Sequence, residues 1–124
     1  MLIFTKYIAK HEFKPLQKYF TIEDVIEGGR KVIKGLGQKI SAHNKSAKFR
    51  FFKVRIGGTL KGRMIVFLVS ENKKVVPLLI RLKKDKKLGM NMSASNPNVI
   101  AQIDKNLEHV LADIAKGKAE EFEL

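Results

Sequence analysis

The sequence predicts an α+β fold: a small antiparallel sheet, made of a three-stranded meander and an N-terminal strand, with N-terminal helices and a C-terminal helix packed on it. Three observations lead there. The runs FRFFKVRI (49–56), RMIVFLV (63–69) and VVPLLIRL (75–82) are rich in β-branched and aromatic residues and are separated only by GGTLKG and SENKK, which read as turns. Ile100, Ile103, Leu107, Val110, Leu111 and Ile114 recur at helical spacing between Asn96-Pro97 and Gly117. Finally, 124 residues at 44% hydrophobic content suffice for one core and not for two, so residues 1–124 form one domain.

In chain order, LIFTKYI (2–8) is a short first strand, and Pro15 in the segment 10–20 suits a first helical turn better than a helix interior. Thr21 followed by Asp24 has the form of an N-cap with an acidic first turn, opening a helix that carries Ile22, Val25, Ile26, Val32 and Ile33. Gly28-Gly29 weakens this helix, because each glycine costs about 1 kcal/mol against alanine, and Gly35 and Gly37 mark its stop. Pro77 cannot donate to a ladder and places an edge or a bulge in the third strand of the meander. The acidic tail 118–124 is expected to fray.

The absence of cysteine removes disulfides, thiolate nucleophiles and cysteine-based metal sites, and fits a reducing cytoplasm. No metal or other cofactor is expected. The opening MLIFTKYIAKHEF has too short an apolar run for a secretory signal or a membrane span, so a cytoplasmic protein without membrane association is expected. GGTLKGR lacks the spacing of a nucleotide P-loop, and the β region holds only Glu71 and Asp85, too few carboxylates for two-carboxylate or two-metal hydrolysis.

The net charge of +13 is segregated. Residues 30–87 hold 18 lysines and arginines against two acids, a net +16, whereas the rest holds seven cations against ten acids, a net −3. Such a field attracts a polyanion, nucleic acid being the commonest, and the bland alternative is a solvated surface. On the first meander strand Lys53 and Arg55 share a face with Phe49 and Phe51, about 7 Å apart at a rise of ~3.4 Å per residue, close to the spacing of successive phosphates. Arg63, across the glycine turn, can converge on the same side.

The run FFKVRIGGTLKGRMIVFLVSENKKVVPLLIRLKKDKK resembles the core of the RelE/ParE toxin superfamily of type II toxin-antitoxin systems. A K-x-R/K strand, a glycine-containing turn, an arginine opening the next strand and an apolar strand ending in a basic cluster recur in that family. The motif is confined to 53–87, while the order of elements matches over about residues 2–115. The resemblance implies a ribosome-dependent, metal-independent mRNA endoribonuclease that inhibits translation, with an antitoxin protein covering its basic face. It implies catalytic roles for Lys53, Arg55 and Arg63, with the substrate's own 2′-OH attacking the adjacent phosphorus. Arg81, Lys83, Lys84, Lys86 and Lys87 match the family's additional phosphate-contacting cluster, and Arg50, Lys61 and His43 are further candidates for nucleic-acid contact. Many active members carry a tyrosine or histidine near the last strand, where this chain has LGMNMSAS. Tyr7 and Tyr19 are assigned to the core and His109 to the helix surface. A ParE-like gyrase inhibitor or a small RNA- or ribosome-binding module is the alternative, with a small-molecule enzyme behind both; the oligomeric state stays open.

Overall fold

A computed structural model describes residues 1–40, 49–58, 62–69, 71–84 and 96–124. The candidates Lys61, Lys86, Lys87 and His43, and the LGMNMSAS segment, lie outside the described residues.

The architecture is α+β, with a six-stranded mixed sheet. The strands are β1 (Leu2–Thr5), β2 (Gln38–Ile40), β3 (Phe49–Ile56), β4 (Gly62–Val69), β5 (Lys74–Leu82) and β6 (Ala119–Phe122), in the spatial order β2-β3-β4-β5-β1-β6. The helices are α1 (Lys6–Ile8), α2 (Ile22–Ile33) and α3 (Pro97–Ala115). The predicted meander is β3-β4-β5, antiparallel throughout. The sheet as a whole is not antiparallel, because β1 runs parallel to β5, with Leu2 opposite Val75.

Two strands were not expected. Only Ile40 of β2 is buried, so three residues carry no readable alternation. The acidic tail does not fray: Gly117, at φ +71°, turns the chain back and Ala119–Phe122 pairs antiparallel with β1 from Thr5 to Leu2. This supplies partners for a buried strand that would otherwise expose its backbone edge. Leu124 then packs near Gly29, where an added Cβ would lie 3.3 Å from a Leu124 methyl.

The chain after β1 is helical from Lys6 but changes pitch twice. Thr5 caps α1 through the Ile8 N–H, a π turn covers Ala9–Phe13, and a 3₁₀ turn covers Lys14–Leu16 with Pro15 in its first turn. Helix α2 opens with a reciprocal capping box: Thr21 Oγ1 accepts from the Asp24 N–H at 3.2 Å and Asp24 Oδ2 accepts from the Thr21 N–H at 2.9 Å. It runs unbroken through Gly28-Gly29. An added Cβ at Gly28 would stand 2.7 Å from both Ile56 Cγ2 and Met64 Cε, so this glycine lets the helix lie close on β3 and β4. Helix α3 covers the other face, with Leu111 and Ile114 lining a groove with Ile3, Phe67 and Val76. Its buried stripe is Val99, Ile103, Asn106, Leu107 and Val110, rotated from the predicted one so that Leu111 and Ile114 sit near its exposed margin.

Pro77 lies at a bulge. Ile65 faces Leu79 while Val66 faces Pro77, which leaves Leu78 as the extra residue. The Leu78 carbonyl accepts from Asn106 Nδ2 at 2.6 Å, so a buried polar residue of α3 satisfies the group beside the irregularity. Asn106 also donates to Glu12 Oε2 at 3.2 Å and accepts from Gln102 at 2.9 Å. Glu12, in the π turn, is only 3% exposed. Its other oxygen accepts from the Ile80 N–H at 2.8 Å and from the Arg81 guanidinium. Burial pushes the Glu12 carboxyl above the usual range, opposed by Arg81, the Ile80 N–H and Asn106.

Two stability outcomes follow. Glu12→Ala removes the acceptor of the buried Ile80 N–H and a charge partner of Arg81, and should cost about 3 kcal/mol in urea unfolding. Leu107→Ala on the buried stripe should cost about 2–5 kcal/mol, whereas Leu111→Ala, at 37% exposure, should cost clearly less.

Candidate phosphate-binding cleft

The register of the sheet assembles the cationic site. Residues 53, 55, 63, 65 and 67 share one face by strand alternation, the face on which α3 lies. On it Arg55 stands directly opposite Arg63, and Arg63 directly opposite Arg81, so three arginines form one row across β3, β4 and β5. The bulge at Leu78 is necessary for this. Without the extra residue, every side chain of β5 beyond Pro77 would change face, and Arg81 would leave the row. Lys53 is one step along β3, opposite Ile65, and its other neighbour in register is Gln38 of β2.

Lys53, Arg55 and Arg63 line one open cleft of about 500 Å³ with Lys31, Leu36, Gln38 and Val54. None of these residues is acidic. Lys31 comes from the last turn of α2 and its Nζ donates to the Arg55 carbonyl at 3.2 Å, which ties the helix end to the β3 edge. Arg63 donates to the Gly62 carbonyl at 3.0 Å. Gly62 is itself required by packing: an added Cβ would meet Phe20 Cζ at 2.3 Å and the Arg81 carbonyl at 3.0 Å.

The electrostatics are those of crowded like charges. Burial, then Arg63, then Arg55, hold the Lys53 amine below the ordinary lysine range, and burial followed by Arg55 lowers Arg63. Like charges directly opposite on adjacent strands destabilise a sheet, by up to about 1 kcal/mol for each pair, less at high salt. An anion with several oxygens relieves this repulsion and accepts the fork of donors that arginine presents.

The other predicted residues are distributed differently. Arg50 has the opposite alternation to Lys53, faces away from the cleft side of β3 and is exposed. Arg81 is in the row but its guanidinium is engaged by Glu12. Lys83 and Lys84 follow the end of β5 and do not line the cleft. Tyr19 is 43% exposed rather than buried in the core. Tyr7 is enclosed by histidines on α1–π turn and α3: its ring stacks on His109 at 4.3 Å with planes 3° apart and lies 4.5 Å from His11. Its backbone N–H donates to Asp113 at 2.7 Å. These three rings thus brace the N-terminal turn against α3 and stand outside the cleft lining.

Sequence reasoning missed Lys31, Leu36 and Gln38. The signal available for them is Gly35, whose positive φ ends α2 and turns the following residues toward β3. No group of three metal-ligating side chains forms among the described residues, and no helix among them is long and apolar enough to cross a membrane.

Relief of repulsion gives a test of the cleft that needs no ligand. Arg63→Gln should leave the unliganded protein as stable as wild type or up to about 1 kcal/mol more stable at low salt, the gain shrinking at high salt. Urea unfolding at about 20 mM and about 500 mM NaCl reads both.

Compared with protein-family models, curated proteins and solved structures, the chain matches none.

Proposed function

We propose that the protein is the toxin of a type II toxin-antitoxin system, a RelE-like metal-independent endoribonuclease acting on mRNA at the ribosome, restrained by a cognate antitoxin. The observation that carries this reading is the convergence of Lys53, Arg55 and Arg63 in one cleft, none of whose described lining residues is acidic. It is the arrangement that the motif resemblance implies for these three positions.

The chemistry is transesterification. The 2′-OH gives its proton to neutral Lys53 as its oxygen bonds to the adjacent phosphorus; the bond to the 5′-oxygen breaks, and that oxygen takes a proton from water. The products are a 2′,3′-cyclic phosphate and a 5′-hydroxyl, and Lys53 returns its proton to solvent. Arg55 and Arg63 hold the non-bridging oxygens, where charge builds in the transition state. Lys53 suits the base role because its lowered pKa raises the neutral fraction near physiological pH.

A non-catalytic ParE-like or RNA-binding role is the second reading. It is favoured by one observation: among the described residues, the cleft lining contains no histidine or tyrosine.

Arg63→Ala should lower mRNA cleavage on the order of 10²- to 10³-fold, as loss of one preorganised donor does, with the fold kept. Lys53→Arg keeps the charge but cannot exchange a proton near neutral pH, so RNA affinity should persist while cleavage falls. In wild type the rate should rise with pH until Lys53 is neutral and then level, and Lys53→Arg should lack that rise. Affinity for RNA should fall steeply with salt. Primer extension on mRNA after brief induction measures cleavage; growth arrest by wild type without cleavage selects the second reading.

A further inference from the structure

The cleft has a wall that phosphate chemistry does not use. Helix α2 ends in a Schellman motif: the Gly35 N–H donates to the Val32 carbonyl at 3.0 Å and the Leu36 N–H to the Lys31 carbonyl at 2.8 Å, with Gly35 at φ +79°. The residue at the place of Leu36 commonly folds back on an apolar residue of the last helical turn. Here the residue facing it is Lys31, and Leu36 stands 69% exposed. Its backbone is held on a hydrogen-bonded turn, so an apolar side chain is presented to solvent at a defined place on the rim of a cationic cleft. The turn is also braced from behind, where an added Cβ at Gly37 would lie 3.3 Å from Phe52 Cβ and Val32 Cγ2.

Gln38 follows on β2. As the register partner of Lys53 it projects on the same face, and it is exposed. Among its described residues the cleft therefore combines cations, one neutral amide with a donor and an acceptor, and one exposed aliphatic surface. Its volume of about 500 Å³ lies within the range of about 300–1,000 Å³ typical of small-ligand sites. Phosphate alone needs only the cations.

We infer that the cleft binds one nucleotide of single-stranded RNA with its base lying on Leu36 and its edge read by Gln38, and that this selects adenine. The inference rests on the phosphate-binding reading of the same cleft. The glutamine amide accepts from adenine N6–H and donates to N7, a bidentate match. Guanine presents two acceptors on that edge, which suit arginine or lysine, and here those side chains hold phosphate. Pyrimidines offer Leu36 a smaller face. In a single strand the base edges are open to such contacts.

The test is fluorescence anisotropy with labelled oligouridylate hexamers carrying one central A, G or C, or none, at fixed salt. Wild type should bind the A-containing hexamer at least about fivefold more tightly than the others. Gln38→Ala should bring all four within about twofold. Arg63→Ala should weaken all four together. Equal binding of all hexamers by wild type, an adenine preference kept in Gln38→Ala, or a preference for another base overturns the inference and leaves the phosphate cleft standing. No binding of any hexamer overturns both.

Discussion

The carboxylate of Glu12 reaches three parts of the fold that the chain separates widely. It lies in a π turn near the N-terminus, it takes the place of a strand neighbour for the Ile80 N–H, and it meets the amide of Asn106 on α3. Taking a carboxylate out of water is unfavourable unless its oxygens are occupied. Here both are. The arrangement is therefore permissive in one geometry only: the N-terminal turn, the end of β5 and the middle of α3 must all be in place together. Any slip of α3 or β5 leaves a buried acid or a buried amide unmatched, and the bulge at Leu78, whose carbonyl shares Asn106, depends on the same meeting.

That dependence reaches the cleft through β5. Pro77 cannot donate an N–H, the ladder accommodates it with an extra residue, and the extra residue returns Arg81 to the face of Arg63 and Arg55. Glu12 then engages the guanidinium that the bulge has delivered. Backbone irregularity and buried acid act as a pair. One positions the third arginine of the row and the other holds its charge apart from the second.

Local chemistry was legible in the sequence and long-range pairing was not. The Thr21 cap with its acidic first turn, the meander and the consequence of Pro77 are written in neighbouring residues, and each was found at or near its place. The shared face of Lys53 and Arg55 follows from the period of a strand and needs no tertiary information. The parallel pairing of β1 with β5 joins residues more than seventy positions apart, and nothing in LIFT distinguishes a parallel neighbour from an antiparallel one. The tail misled for a related reason. Its acids read as a solvated end, while the signal for a strand was the spacing of Phe122 and Leu124, two residues apart and both able to face the core side of β6. Glu12 and Asn106 were missed because a polar residue in an otherwise apolar helix reads as surface, and only a partner on another element makes its burial tolerable.

The arginine row sets a neutralised member beside crowded ones. The chain matches Arg81 with an acid that is almost completely buried, although burying that acid opposes folding unless its hydrogen bonds are complete. Among the described residues no acid lines the cleft that Lys53, Arg55 and Arg63 share, and Arg63 and Arg55 crowd the Lys53 amine there. A surface selected only for solubility mixes charges of both signs. Segregation at this scale sets the neutralised member at one end of the row and the crowded members in an open cleft, a field that favours an anion. The field acts where Lys31 and the Schellman turn close the cleft's other side, so the same geometry that concentrates charge also limits the shape of what enters.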